Sequence, residues 1–172
     1  MSAAPAAKRA RTRARVVLPT DLTVVVPTRN EADAIGPFLM ALEPALHELQ
    51  AEVIIVDDSS DDTPTRAAVV ADALELPVEL VHRPQSDRPD GLGGAVKRGF
   101  ELAHGRFVAV MDADLQHPPA LVPAMLARAR RDGADLVVAS RMRHPTGYWG
   151  VAAAADSARA PEGRGPGLDG NK

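Results

Sequence analysis

Cysteine is absent from all 172 residues. That excludes disulfides, thiolate metal sites and cysteine nucleophiles, and it fits a reducing compartment. Aromatic residues are scarce, at 3%, so the core must be built from Val, Leu, Ile and Ala. Long apolar runs are also missing. None approaches the roughly 20 residues that cross a bilayer, and the N-terminus lacks the apolar stretch of a signal peptide. These absences predict a cytoplasmic protein, soluble or peripheral at the inner face of the membrane. What remains is ordinary: 45% of the residues are apolar, and the length suits one domain with a real core.

Charge is unevenly spread. The net charge is −3, yet Lys8, Arg9, Arg11, Arg13 and Arg15 crowd the N-terminal tail. Residues 1–20 therefore read as a disordered basic tail, with attraction to anionic lipid headgroups as its sharper use. No basic face or aromatic platform follows, so nucleic acid is not an expected partner.

Hydrophobic patterning then alternates in type. Leu22–Val26 reads as a buried β-branched strand bounded by Pro27, and Glu52–Val56 as a second. Between them, Ile35, Leu39, Leu42, Leu46 and Leu49 recur at helical spacing over 31–50, with Asn30 as N-cap. A helix over 63–74 is entered through Pro64. A third strand covers 78–82, and a loop of Pro, Gly and charge covers 83–94. A helix over 95–103, a strand over 106–111, a helix opened by Pro118-Pro119 and ended by Gly133, and a fifth strand over 134–139 complete the series. Strands alternating with helices predict βαβ units and a mostly parallel sheet, its strands covered on both faces. Residues 150–172 are Ala, Gly and Pro with few large apolar side chains, and are expected to be a disordered tail. The predicted domain is 21–149.

The polar clusters fall just after strands: Pro27-Thr28-Arg29-Asn30-Glu31, Asp57-Asp58, Asp112-Ala113-Asp114-Leu115-Gln116 and Ser140-Arg141. In a parallel sheet these share the carboxyl edge, where open α/β folds bind ligands. Carboxylates gathered at one edge repel unless a cation or donors intervene. Asp112 and Asp114 offer hard oxygens to a divalent ion that also holds phosphates. The glycines at 91, 93 and 94 form neither a phosphate loop with Gly-Lys-Ser/Thr nor a dinucleotide fingerprint. A phosphoacceptor receiver domain is disfavoured as well: the acid pair follows the second strand, and no Lys-Pro follows the fifth.

Four segments carry a family resemblance: VVVPTRNEADAIGPFL, VIIVDDSSDDTP, GLGGAVKRGFELAHGRFVAVMDADLQHPP and VVASRM. Over Leu22–Arg141 the chain resembles family 2 glycosyltransferases of GT-A fold, and among them the polyprenol-phosphate sugar synthases. The resemblance implies a Rossmann-like α/β fold with helices flanking the sheet. It places Pro27, Thr28, Asn30 and Glu31 in the nucleotide pocket, Asp57 at the base, and Asp58 beside the ribose or base. It makes Asp112 and Asp114 the pair that binds metal and donor, with Gln116 as a further metal ligand. Arg141 becomes a cation near the phosphates, and transfer depends on it and on Asp114. Gly91, Gly93 and Gly94 match a mobile loop, and Lys97 a donor-side base on the helix after it. The implied cofactor is Mg2+ or Mn2+. The implied reaction is inverting transfer from a nucleotide-sugar, GDP-mannose ranked ahead of a UDP-sugar, to a polyprenyl or dolichyl phosphate. After Met142 the family pattern fades, so a nucleotide- and metal-binding domain with little turnover is the alternative.

Overall fold

The computed structural model describes residues 19–88 and 90–140, together with the backbone of 150–154. Four parallel strands form the main sheet: β1 (Leu22–Thr28), β2 (Ala51–Asp57), β3 (Val78–His82) and β4 (Phe107–Val110), in the order β3-β2-β1-β4. All seven residues of β1 are buried, and six of the seven in β2. Pro27 lies inside β1 rather than after it. Its missing N–H faces the β4 side, where the ladder ends with the Met111 N–H on the Val25 carbonyl, as suits a proline at the end of a pairing.

The helices lie on both faces. α1 (Ile35–Leu46), α2 (Thr63–Ala71) and α4 (Leu121–Asp132) bury Phe38, Leu39, Leu42, Ala67, Val122 and Leu126 against Val24, Val26, Val53 and Ile55. α3 (Gly91–Leu102) covers Ile54 and Val56 on the other face. Gly99 lets α3 approach closely, since a Cβ there would stand 2.2 Å from Val25 Cγ1.

Several expectations are corrected. Asn30 is no N-cap: it takes φ 57°, and α1 starts after Ala34. α3 begins at Gly91, so the three glycines form its first turn instead of a loop before it. β4 is not covered on both faces, because α3 crosses β1 and β2 and leaves Val108 and Val110 more than 40% exposed. β5 (Leu136–Ser140) is not a fifth parallel strand. It pairs antiparallel with β6 (Gly150–Ala154) in a separate two-stranded sheet that contacts α4. That strand also takes up the start of the expected tail. Strand pairing satisfies main-chain donors and acceptors, which small residues do as well as large ones. The remaining tail residues, 155–172, and the basic residues of the N-terminal tail lie outside the described residues.

Candidate functional site

The sheet order reverses between β1 and β4, and such a switch point opens a crevice at the carboxyl edge. The chain leaving β1 supplies Pro27, Thr28, Arg29 and Glu31 to a cavity of about 210 Å³. Asp58 comes from the end of β2, Leu92 and Ala95 from α3, and Asp112, Ala113 and Asp114 from the end of β4. Six of the residues named from the sequence, Pro27, Thr28, Glu31, Asp58, Asp112 and Asp114, are thereby brought together.

The others stand elsewhere. Asp57 is fully buried beneath the cleft. Its Oδ1 accepts from Thr28 Oγ1 at 2.7 Å and Ser59 Oγ at 2.5 Å. Its Oδ2 meets His82 Nδ1 at 2.6 Å and Ser59 N–H at 3.3 Å. Asp57 is not among the residues that line the cleft. Asn30 ties two loops together: its N–H donates to Ser59 Oγ at 2.7 Å, and its Oδ1 accepts the Ser60 N–H at 2.9 Å. Gln116 is exposed outside the lining, and its N–H donates to Asp114 Oδ1 at 2.9 Å. The turn that allows this bond puts Leu115 at φ 59°, an unusual setting for a bulky side chain. Lys97 lines a different cavity, of about 350 Å³, together with Arg83, Pro84 and Gly94. Arg141 lies outside the described residues.

Electrostatics fit a cation. Burial raises the pKa of Glu31, and the neighbouring charges of Asp114, Asp112 and Asp61 raise it further. Asp61 is itself lowered, chiefly by the Thr63 hydroxyl it accepts from. Among the described residues no group of three or more His, Cys, Asp and Glu is placed to hold an ion by itself. Mg2+ in particular takes one or two carboxylates and leaves its other positions to water and substrate phosphates. The donor set of Asp112 and Asp114 suits that mode.

Two cations were not singled out by sequence reasoning. Arg29 lines the cleft among four carboxylates; its signal was a base inside the first strand-end cluster. Arg83 pairs with Asp58; its signal was a base directly after β3 at the same sheet edge.

Comparison with known proteins bears on the family of the chain. The model of glycosyl transferase family 2 matches residues 23–159. Dolichol-phosphate mannosyltransferase of Pyrococcus furiosus is 36% identical over 120 residues, covering 70% of this chain and 33% of that protein. Dodecaprenyl-phosphate galacturonate synthase of Rhizobium johnstonii is 32% identical over 132 residues, covering 75% of this chain and 38% of that protein. A solved mannosyltransferase of Pyrobaculum calidifontis, in complex with GDP-Man and Mn2+, superposes with a TM-score of 0.55 at 29% identity. That alignment covers 75% of this chain and 37% of the other. The chain thus spans between 33% and 38% of the length of these relatives. No described helix is long and apolar enough to cross a membrane.

Proposed function

As the chain belongs to glycosyl transferase family 2, its model covering residues 23–159, we propose that it binds a nucleotide-sugar in the cleft between β1 and β4 and serves inverting sugar transfer to a polyprenyl phosphate. The observation that carries this reading is the meeting of Asp112 and Asp114 with Glu31, Asp58 and Arg29 at the switch point of the sheet. The lipid-phosphate acceptor is supported by the dolichol phosphate and dodecaprenyl phosphate in the names of the two curated relatives. GDP-mannose as donor is supported by the mannosyltransferase likenesses. A UDP-sugar is the rival donor, since the galacturonate synthase shows that likeness extends beyond mannose.

In this reading Asp112 and Asp114 hold Mg2+ or Mn2+, with the Gln116 amide as a further ligand. A bound divalent ion supplies Lewis-acid neutralisation of the leaving diphosphate. Arg29 presents a planar fork of donors on the cleft wall, suited to a phosphate oxygen or the face of a base. Asp58 accepts from the ribose or base. Arg141, just beyond β5, is assigned to the phosphates. Leu92 and Ala95 give the cleft an apolar side. The acceptor phosphate is already an anion, so no strong general base is required of this chain. Rate then derives from positioning and electrostatics.

Calorimetric titration of GDP, UDP, GDP-mannose and UDP-glucose, with Mn2+ and with EDTA, tests this. Binding of one base that needs the metal and is lost in Asp114→Ala is expected. Failure of all four nucleotides to bind the wild-type chain would overturn the reading. A transfer assay with polyprenyl phosphate then separates an enzyme from a domain that only binds the donor.

A further inference from the structure

Arg83 is the first residue after β3, and its guanidinium, on the lining of the neighbouring cavity, bridges Asp58 and the first turn of α3. Nε donates to Asp58 Oδ1 at 2.8 Å and Nη2 to Asp58 Oδ2 at 2.6 Å. Nη2 also donates to the Gly91 carbonyl at 3.0 Å. The Arg83 backbone is pinned as well, its N–H donating to the Asp57 carbonyl at 2.8 Å. Asp58 belongs to the β2 wall, whereas Gly91 opens the helix that carries Leu92 and Ala95 on the other wall. One side chain therefore joins both.

The clamp is desolvated: the Arg83 and Asp58 side chains are 11% and 8% exposed. A fork-on-fork pair fixes orientation as well as distance. The glycines are shaped to it. Gly91 takes φ 52°, a left-handed setting natural to glycine. A Cβ on Gly94 would stand 2.9 Å from Arg83 Nη1 and 2.7 Å from Asp90 Cβ. The guanidinium occupies the space that a larger residue at 94 would need.

We propose that Arg83 is a positioning residue for the donor nucleotide, locking the first turn of α3 to Asp58 and so fixing both the width of the cleft and the carboxylate edge that Asp58 turns into it. The fork takes one acceptor position on each Asp58 oxygen and leaves the outer positions to a ligand N–H or O–H. Without the clamp the carboxylate is free to rotate, and the glycine-rich turn loses its tie to the sheet. The role rests on the donor-site reading above.

The test uses Arg83→Ala, Arg83→Lys, Gly94→Ala and the double variant Arg83→Ala/Gly94→Ala. Gly94→Ala perturbs the clamp while leaving every charge in place. Hydrogen exchange of residues 91–96 is read first, then nucleotide affinity with Mn2+. Exchange in that turn is expected to rise at least about tenfold in Arg83→Ala and in Gly94→Ala, with α1 and α4 unchanged. Affinity is expected to fall about tenfold or more in both, to be partly restored by Lys at 83, and to fall little further in the double variant, because coupled residues are non-additive. Unchanged exchange overturns the clamp whether or not nucleotides bind. Faster exchange with unchanged affinity overturns its role for the donor, as do independent, additive losses. A wild-type chain that binds no nucleotide overturns the donor reading, and with it this positioning role, while the exchange measurement still decides whether the clamp exists. Should Arg83→Ala fail to fold, Gly94→Ala and Arg83→Lys decide alone.

Discussion

Asp57 and Asp58 are neighbours in sequence with different partners: Arg83 holds Asp58, and neutral or imidazole groups hold Asp57. Asp57 is enclosed by Thr28, Ser59 and His82, so Asp57→Ala leaves several donors unmatched. We expect it to cost about 3 kcal/mol or more in urea denaturation; a loss under about 1 kcal/mol would mean the web is not closed. Glu31 carries the opposite burden. Its pKa is raised by burial and by the charges of Asp114 and Asp112. The folded chain then keeps its proton to higher pH than the unfolded chain. Its contribution to stability is therefore greatest in acid and is lost as pH rises through the ordinary carboxylate value to the raised one. Glu31→Gln is expected to melt higher than wild type at neutral pH without metal, with the gap closing in acid and on adding Mn2+. A variant that melts no higher than wild type at pH 7 in EDTA would remove this account. The carboxylate pair at the end of β4 was legible in the sequence because a strand ending in Asp-x-Asp has one edge to point to. That Asp58 and not Asp57 lines the cleft was not, since both are buried and nothing local distinguishes them.

Elements were legible where periodicity or punctuation was strong. Gly133, in a left-handed setting at φ 59°, ends α4 as its position suggested. The start of α3 was not legible, because three glycines in four residues read as loop by propensity. Tertiary ties override that propensity: the Gly91 carbonyl is held by Arg83, and Ala95 packs against Ile54 and Val56. Asn30 misled for a related reason, its side chain being engaged by Ser60 instead of by α1. The closeness of α3 to the sheet gives a sharp prediction. A Cβ on Gly99 would meet Val25 Cγ1 at 2.2 Å and Val25 Cγ2 at 2.9 Å. Both belong to a buried strand residue with little room to yield. Gly99→Ala should therefore cost about 1–3 kcal/mol by overpacking, despite the better helix propensity of alanine. An unchanged urea midpoint would place α3 farther from β1 than this geometry requires.

At the scale of the molecule, the alternation of strand and helix made the parallel α/β sheet readable, and the continuous apolar runs marked β1 and β2 as central. The same runs overstated β4. Val108 pairs with Thr23 and Val110 with Val25, the residue that Gly99 of α3 approaches. Both valines thus lie on the α3 face, at 42% and 44% exposure, with Phe100 of α3 at 52% and Leu92 at 65%. Sequence pattern records that a strand is apolar on both sides; it does not record how far one helix reaches across the sheet. Four exposed large apolar residues on one side of the sheet should bind a hydrophobic dye and promote self-association at high concentration. Phe100→Ser combined with Val110→Thr is the matching test. Threonine keeps the β-branched shape that a strand prefers, and solvent-facing exchanges of this kind stay within about 0.5 kcal/mol each. Dye fluorescence should drop about twofold or more, in proportion to the apolar area removed, while the melting temperature stays near that of the wild type. A dye signal that does not fall would show that the bound surface lies elsewhere. A steep fall in melting temperature would show that these side chains are buried in solution rather than exposed.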